Sequence, residues 1–274
     1  MNEKIMKRLR QTELSILDAV HNFCIDNNIK YSLFYGTLLG AVRHGEFIPW
    51  DDDIDIVMPR SDYERFLALW GENPPKGYIL QNYYTDVDFT NNFSKVRKDK
   101  TTFLQNKLEE NKKYHKGIFI DIFPLDFVAP NKFTRSKQYI ACAVNLLYSR
   151  EYTSGTGGII GAIEKFLLKI NVKNHPKWRM KTERIIKKYM NDGGSYCFSP
   201  STIKDCKVYF PGDLFSQLTS IKFCGKEYLT VKDYIKVLEI CYGDYMQLPP
   251  VEERVMKHSP KLIDFEHNYE ELNT

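Results

Sequence analysis

Residues 53–58 run Asp53-Ile54-Asp55-Ile56-Val57-Met58, acid alternating with apolar, and Pro59 follows. Alternate side chains of a strand share a face, so the pattern predicts a half-buried strand with Ile54 and Ile56 in the core and both acids on the other side. There the two carboxylates stand roughly 6.5 to 7 Å apart at the backbone. Folding alone does not favour this arrangement, because like charges repel and Asp is a poor strand former. A divalent cation turns the repulsion into ligation, and Mg2+ is the usual hard ion where phosphates complete the shell. Asp53 and Asp55 are therefore read as metal ligands. Asp51 and Asp52 are read as exposed loop acids that only add charge.

Upstream, Tyr31-Ser32-Leu33-Phe34-Tyr35 is short and aromatic like a strand, and Gly36-Thr37 then turns into the helix-compatible Leu38-Leu39-Gly40-Ala41-Val42. Such a turn lets a phosphate approach backbone amides at Gly36, with the Thr37 hydroxyl as a further donor. Before it, Ile5, Leu9, Ile16 and Val20 recur near the helical period, predicting an amphipathic helix over 3–28. Downstream, Ser61-Asp62-Tyr63-Glu64 has the form of a capping box opening a helix through Leu69 or Trp70. Further strands are expected at 78–84, 93–97 and 117–123. In the last of these Asp121 is the one charge in Gly117-Ile118-Phe119-Ile120-Asp121-Ile122-Phe123. Burying it unpaired would be costly, so Asp121 is the third candidate metal ligand.

Residues 131–191 read as mostly helical, with Ile159, Ile160, Ile163, Phe166, Leu167 and Ile170 in a stripe of the kind that usually belongs to a core. From Lys165 to Lys188 the bases Lys165, Lys169, Lys173, Lys177, Arg179, Lys181, Arg184, Lys187 and Lys188 face only one acid within the run, Glu183. That excess points to an anionic partner or to a solvated helical face. Ser220–Leu229 reads as a hairpin turning at Cys224-Gly225-Lys226, Thr230–Tyr242 as a capped helix stopped by Gly243, and the tail beyond Pro249-Pro250 as irregular. The fold class is α+β: a mixed sheet flanked by helices, with a mostly helical extension. Three stretches are expected: a catalytic core over 1–130, a helical acceptor-side region over 131–195, and a C-terminal hairpin and helix packing back on the core over 196–274.

Of the 274 residues 43% are hydrophobic, ample for a buried core. The start, MNEKIMKRLRQTEL, lacks a signal peptide's apolar run, and no stretch approaches the roughly 18 apolar residues of a membrane span. A cytoplasmic protein is expected. Six cysteines without a CxxC pair argue for reduced, mostly buried thiols rather than zinc or disulfides.

The order Gly-Thr, then Asp-x-Asp on one strand, then a lone Asp on a later strand resembles the nucleotidyltransferase superfamily. A closer resemblance runs through Gly36-Thr37-Leu38-Leu39-Gly40-Ala41-Val42-Arg43-His44, Phe47-Ile48-Pro49-Trp50-Asp51-Asp52-Asp53-Ile54-Asp55-Ile56 and Met58-Pro59-Arg60-Ser61-Asp62-Tyr63. It continues in Ile118–Asp126 and Tyr242-Gly243-Asp244-Tyr245-Met246-Gln247-Leu248-Pro249-Pro250, with His258 beyond. These stretches are similar to the LicD family of phosphocholine transferases. The resemblance implies a nucleotidyltransferase-like core that moves phosphocholine from CDP-choline, with Mg2+ or Mn2+, to a hydroxyl of a teichoic acid or other surface-glycan precursor, releasing CMP. It implies an acceptor that can be lipid-linked, work at the inner face of the membrane with peripheral membrane contact, and no nucleic-acid partner. It carries catalytic and metal roles onto Asp53 and Asp55, with Asp121 third and also the candidate base. Nucleotide phosphate falls to Gly36 and Thr37, and charge neutralisation to Arg43, His44, Lys95 and Arg97. Choline needs aromatic faces, for which Trp50, Tyr83 and Tyr84 lie near the motifs. Two alternatives stay open: transfer of a nucleoside monophosphate to a small molecule or protein, and a non-catalytic module that binds anionic glycan.

Overall fold

The computed structural model describes residues 2–86, 88–150, 158–171, 175–256, 258 and 260–273. In chain order the elements are helix α1 (Glu3–Asp26), strand β1 (Ser32–Leu33), helix α2 (Tyr35–His44), strand β2 (Asp55–Pro59), helix α3 (Arg60–Glu72) and strands β3 (Tyr78–Gln81), β4 (Ser94–Lys98) and β5 (Thr102–Leu104). A single turn α4 (Lys107–Glu110) and the long strand β6 (Phe119–Phe127) follow, then helices α5 (Lys132–Arg150), α6 (Gly158–Asn171) and α7 (His175–Ile186). The chain returns through strands β7 (Tyr196–Phe198) and β8 (Phe210–Pro211), the hairpin β9 (Leu218–Phe223) and β10 (Lys226–Val231), helix α8 (Tyr234–Tyr242) and strand β11 (Leu262–Asp264).

The main sheet has the order β1-β2-β6-β4-β3. β2 and β6 run parallel and the other neighbours antiparallel, and β7 extends β6 at its far end. This is the expected α+β architecture with a mixed sheet. Helices α1 and α3 cover one face, where Phe23 of α1 meets Phe66 and Trp70 of α3 edge-on or tilted. Tyr63 of α3 reaches Ser94 at 2.6 Å, so Ser94, Ile122 and Ile56, which share a rung, face these helices. By alternation Asp55, Asp121 and Lys95 face the other way.

One continuous core runs from Leu9 to Leu238, joining α1, the sheet, the C-terminal hairpin and α8. A smaller cluster of Val128, Ala141, Cys142, Leu146, Ile186, Phe198 and Cys206 lies under α5 and α7. A buried bidentate ion pair ties α3 to β6: Arg60 donates to both Asp126 oxygens, at 2.8 and 2.6 Å. Glu183 of α7 stands 3.5 Å from the same guanidinium, and its carboxylate accepts from the phenols of Tyr83 and Tyr84.

Several local expectations are corrected. β2 starts at Asp55 rather than Asp53, because residues 48–51 form a tight turn, with Asp51 N–H on the Ile48 carbonyl at 2.9 Å, and the chain straightens only afterwards. Gly36 and Thr37 lie in the first turn of α2 instead of before it. Phe34 is the extended N-cap, and Leu38 N–H bonds to its carbonyl at 3.0 Å. The turn is made at Tyr35, whose φ of +43° is unusual for a bulky residue and is held by its edge contacts with Phe34 and Phe123. Ser61 is no N-cap, since α3 opens at Arg60, two residues earlier than that cap requires, with Pro59 as N-cap and no side-chain cap bond. The strand at 117–123 begins at Phe119 and runs on to Phe127, and α8 begins at Tyr234 because Thr230 and Val231 stay paired in β10. The hairpin turn uses Cys224 and Gly225, both at positive φ, as a two-residue connection requires. The tail is not wholly irregular: β11 pairs with β5.

Candidate active site

Strand register aligns four polar side chains in a row across the sheet. Asp55 of β2 lies beside Asp121 of β6, Asp121 opposite Lys95 of β4, and Lys95 opposite Gln81 of β3. All four are buried. Lys95 Nζ is 2.5 Å from Asp121 Oδ1 and 3.4 Å from the centroid of the Phe119 ring. Burial raises the Asp121 pKa, with the Lys95 charge and hydrogen bond opposing it; burial lowers that of Lys95, with Asp121 opposing. Arg97, two residues along β4, is equally buried and donates to Gln81 Oε1 and the Gly117 carbonyl, each at 2.6 Å.

At the end of this row sits the acid loop. Asp51 and Asp52, expected to be exposed, are buried, 5% and 1% accessible. Oxygens of Asp51, Asp52 and Asp53 gather within 4.8 Å of one another in a cluster able to hold a metal ion. Arg10 of α1 explains the burial, since its guanidinium donates to the carbonyls of Ile48, Pro49 and Asp51 at 2.9, 3.0 and 2.7 Å and fixes the loop from beneath. Asp51 lies over the start of α2, so that a Cβ at position 36 would clash with its carboxylate. The positive end of the helix favours an acid there, and only glycine leaves room for it. Thr37 Oγ1 accepts the Asp55 N–H at 2.8 Å, locking α2 to β2.

Two oxygens at this locus, Asp53 Oδ1 and Glu13 Oε2, are buried without a hydrogen-bond partner. Burial raises the Glu13 pKa well above its usual range, and the charges of Asp53 and Asp52 raise it further, which places Glu13 in the field of the cluster. His258 closes the other side: its Nδ1 is 3.3 Å from Asp52 Oδ1 and 3.8 Å from Asp53 Oδ2, with its ring edge-on to Phe103 and Phe119. Burial lowers the imidazole pKa, but the Asp52 hydrogen bond and the charges of Asp53 and Asp52 more than offset this, and the net shift is upward. An unpartnered carboxylate oxygen amid converging acids is the chemistry of a hard-cation site, and these residues fit a divalent ion.

A cavity of about 650 Å³ opens beside the loop, lined in part by Gly36, Asp51, Arg43, Trp50, Tyr242 and Tyr245. Arg43 reaches it while donating to the Tyr245 carbonyl at 3.1 Å. His44 does not reach it: its Nε2 accepts from Arg43 Nε, and it lines a separate groove with Glu46 and Lys7. Trp50 lines the cavity, with Arg254 5.5 Å from its ring. Tyr83 and Tyr84 do not line this cavity, because their phenols are committed to Glu183 and the Tyr83 ring to Arg179 at 4.1 Å. The residues that sequence reasoning missed are Glu13, Arg10, Tyr242, Tyr245 and the contact role of His258. Only His258, Tyr242 and Tyr245 carried a signal, as parts of the C-terminal motifs.

Residues 28–146 match the family described as LicD/FKTN/FKRP, nucleotidyltransferase domain. The chain is 31% identical to the lipopolysaccharide cholinephosphotransferase LicD of Haemophilus influenzae over 92% of its own length and 97% of that protein's. The chain belongs to the LicD family. Uncharacterized proteins of Rickettsia typhi and Rickettsia prowazekii also match, each 31% identical, over 51% and 40% of this chain and 44% and 43% of their own lengths. Family membership makes the chain a transferase of the phosphotransferase type, and the matched residues 28–146 include α2, the acid loop, β2 and β6, where the buried charges converge.

Proposed function

We propose that the chain transfers phosphocholine from CDP-choline to a hydroxyl of a surface-glycan precursor, releasing CMP. The observation that carries this reading is the acid cluster with its orphaned Asp53 oxygen, joined through Asp51 to a cavity that Trp50, Tyr242 and Tyr245 also line. Asp53, Asp55 and Asp121, with Asp51 and Asp52 adjoining, are the carboxylates assigned to a divalent ion, Mg2+ or Mn2+. When bound, that ion supplies charge stabilisation to the pyrophosphate. Trp50, Tyr242 and Tyr245 offer π faces for a trimethylammonium head, with the carboxylates of Asp244 and Glu253 on the same wall. Arg43, Gly36, Thr37, Lys95 and Arg97 are assigned to the nucleotide side; His44, facing another groove, is assigned an indirect part through Arg43.

The acceptor oxygen attacks the phosphorus next to choline, and the bond from that phosphorus to the bridging oxygen breaks, CMP leaving with the bridging oxygen. The acceptor's proton goes to Asp121, which Lys95 holds in the row beside Asp55. The name of the Haemophilus relative specifies lipopolysaccharide; for this chain the acceptor is assigned more broadly as a lipopolysaccharide-type glycan or teichoic acid precursor.

The test is product analysis. Purified protein with Mg2+, a glycan acceptor and a panel of CDP-alcohols is expected to release CMP with CDP-choline preferred. Release of pyrophosphate from a nucleoside triphosphate, with no CMP from any CDP-alcohol, would overturn the reading in favour of nucleotidyl transfer.

A further inference from the structure

Helix α6 turns its apolar side outward. Ile159, Ile163, Phe166 and Ile170 are 81, 52, 63 and 56% exposed, and at about 100° per residue they fall within an arc of about 60°. The expectation that this stripe is core fails here, because α6 meets α5 along a different flank. There Ile163, Glu164 and Leu167 line an apolar groove of about 210 Å³ with Tyr139, Ile140 and Leu147. Ile140 is itself 60% exposed, so the apolar surface continues from α6 onto α5. The side chain of Ile160 and all of Lys173 lie outside the described residues.

Charge around the stripe has one sign. Lys165 and Lys169 lie roughly 90 to 130° round the helix from its centre, on the side away from the groove. Among the described residues, every exposed charged side chain of α6 and α7 is basic: Lys165, Lys169, Lys177, Lys181 and Arg184. Glu164 is partly covered at the groove and Glu183 is buried against Arg60.

We propose that α6 and the adjoining edge of α5 dock onto a bilayer carrying anionic lipids, the apolar stripe in the interface and the lysines at headgroup level. With 14 residues α6 is about 21 Å long, short of the roughly 20 residues that span a bilayer, and no helix among the described residues is long and apolar enough to cross one. A short helix with an apolar face flanked by lysines lies in the plane of the interface. An antiparallel second copy of the chain fits the face poorly, since a two-fold axis perpendicular to α6 would set lysines against lysines. The inference is independent of the chemistry assigned to the acid site.

Vesicle flotation tests it, with phosphatidylcholine alone and with phosphatidylcholine containing phosphatidylglycerol. Wild-type protein is expected to float with the anionic vesicles and far less with the neutral ones, the difference shrinking as salt is raised. The pair Ile163→Ser and Phe166→Ser should weaken anionic-vesicle binding at least about tenfold, and the pair Lys165→Gln and Lys169→Gln by roughly as much, each with unchanged thermal midpoint. Phe166→Trp, which keeps the apolar character, should shift its emission to the blue on anionic vesicles only. Failure of the wild type to bind, equal binding to neutral vesicles, wild-type binding by the serine pair, or a wild-type dimer that the serine pair dissolves would each overturn the proposal.

Discussion

The acid loop and helix α6 invert the ordinary rule of folding in opposite directions. At residues 51–55 charge is buried: four carboxylates are at most 7% exposed, and Asp53 keeps an oxygen with no partner. On α6 apolar groups are exposed, four of them by more than half. Either arrangement costs stability when taken alone. Arg60 and Asp126 supply the contrast, charge buried just as deeply but paired bidentately within the protein. What separates function from structure here is therefore satisfaction rather than burial. The chain itself completes the Arg60–Asp126 pair, while the Asp53 oxygen and the α6 stripe are left without a partner.

That distinction can be broken by mutation, and the largest effect is expected at Asp53. Asp53→Asn should lower transfer by about a thousandfold, and Asp55→Asn likewise, as removal of a charge-stabilising group at a reacting centre does. The thermal midpoint without metal should hold or rise, because repulsion within the cluster falls; activity near wild type would remove the metal role. Arg60→Ala should do the reverse, costing about 3 to 5 kcal/mol of stability in a denaturant titration by leaving Asp126 buried and unpaired. A loss below about 1 kcal/mol would show that the pair is not a fold-holding element.

Gly36→Ala sharpens the comparison at smaller amplitude. A methyl group there collides with the Asp51 carboxylate, so transfer should fall between about ten- and a hundredfold through displaced geometry. The fold should stay intact by circular dichroism, and wild-type rates would show that Asp51 moves without consequence. The smallest effect belongs to α6: Ile163→Ser with Phe166→Ser should change unfolding free energy by less than about 0.5 kcal/mol each, as exposed substitutions do. A core-like loss of 2 kcal/mol or more would mean that the stripe is covered in the folded protein.

Much of this was legible beforehand, for local reasons. Alternation at 53–58 and a lone acid at 121 revealed β2, β6 and three of the buried carboxylates, because period and charge are properties of neighbours in sequence. Asp51 and Asp52 were misread as exposed because the group that buries their loop, Arg10, lies about 40 residues upstream on α1. The row from Asp55 through Asp121 and Lys95 to Gln81 depends on strand register, which no local pattern contains. The α6 stripe was misassigned for the same reason: helical period shows that one face is apolar but not whether anything covers it. Ser61 failed as a cap because α3 already starts at Arg60, with Pro59 as its N-cap.

The central claim is that the acids around Asp53 hold a divalent ion, and the most direct measurement is a Mn2+ titration followed by electron paramagnetic resonance, with CDP-choline present. Wild-type protein should bind Mn2+ saturably, release it to excess Mg2+, and lose transfer to EDTA until either ion is restored. Asp53→Asn, folded to the same thermal midpoint, should bind Mn2+ at least about tenfold more weakly. Equal Mn2+ binding by the two proteins, or full transfer in EDTA, would contradict the claim.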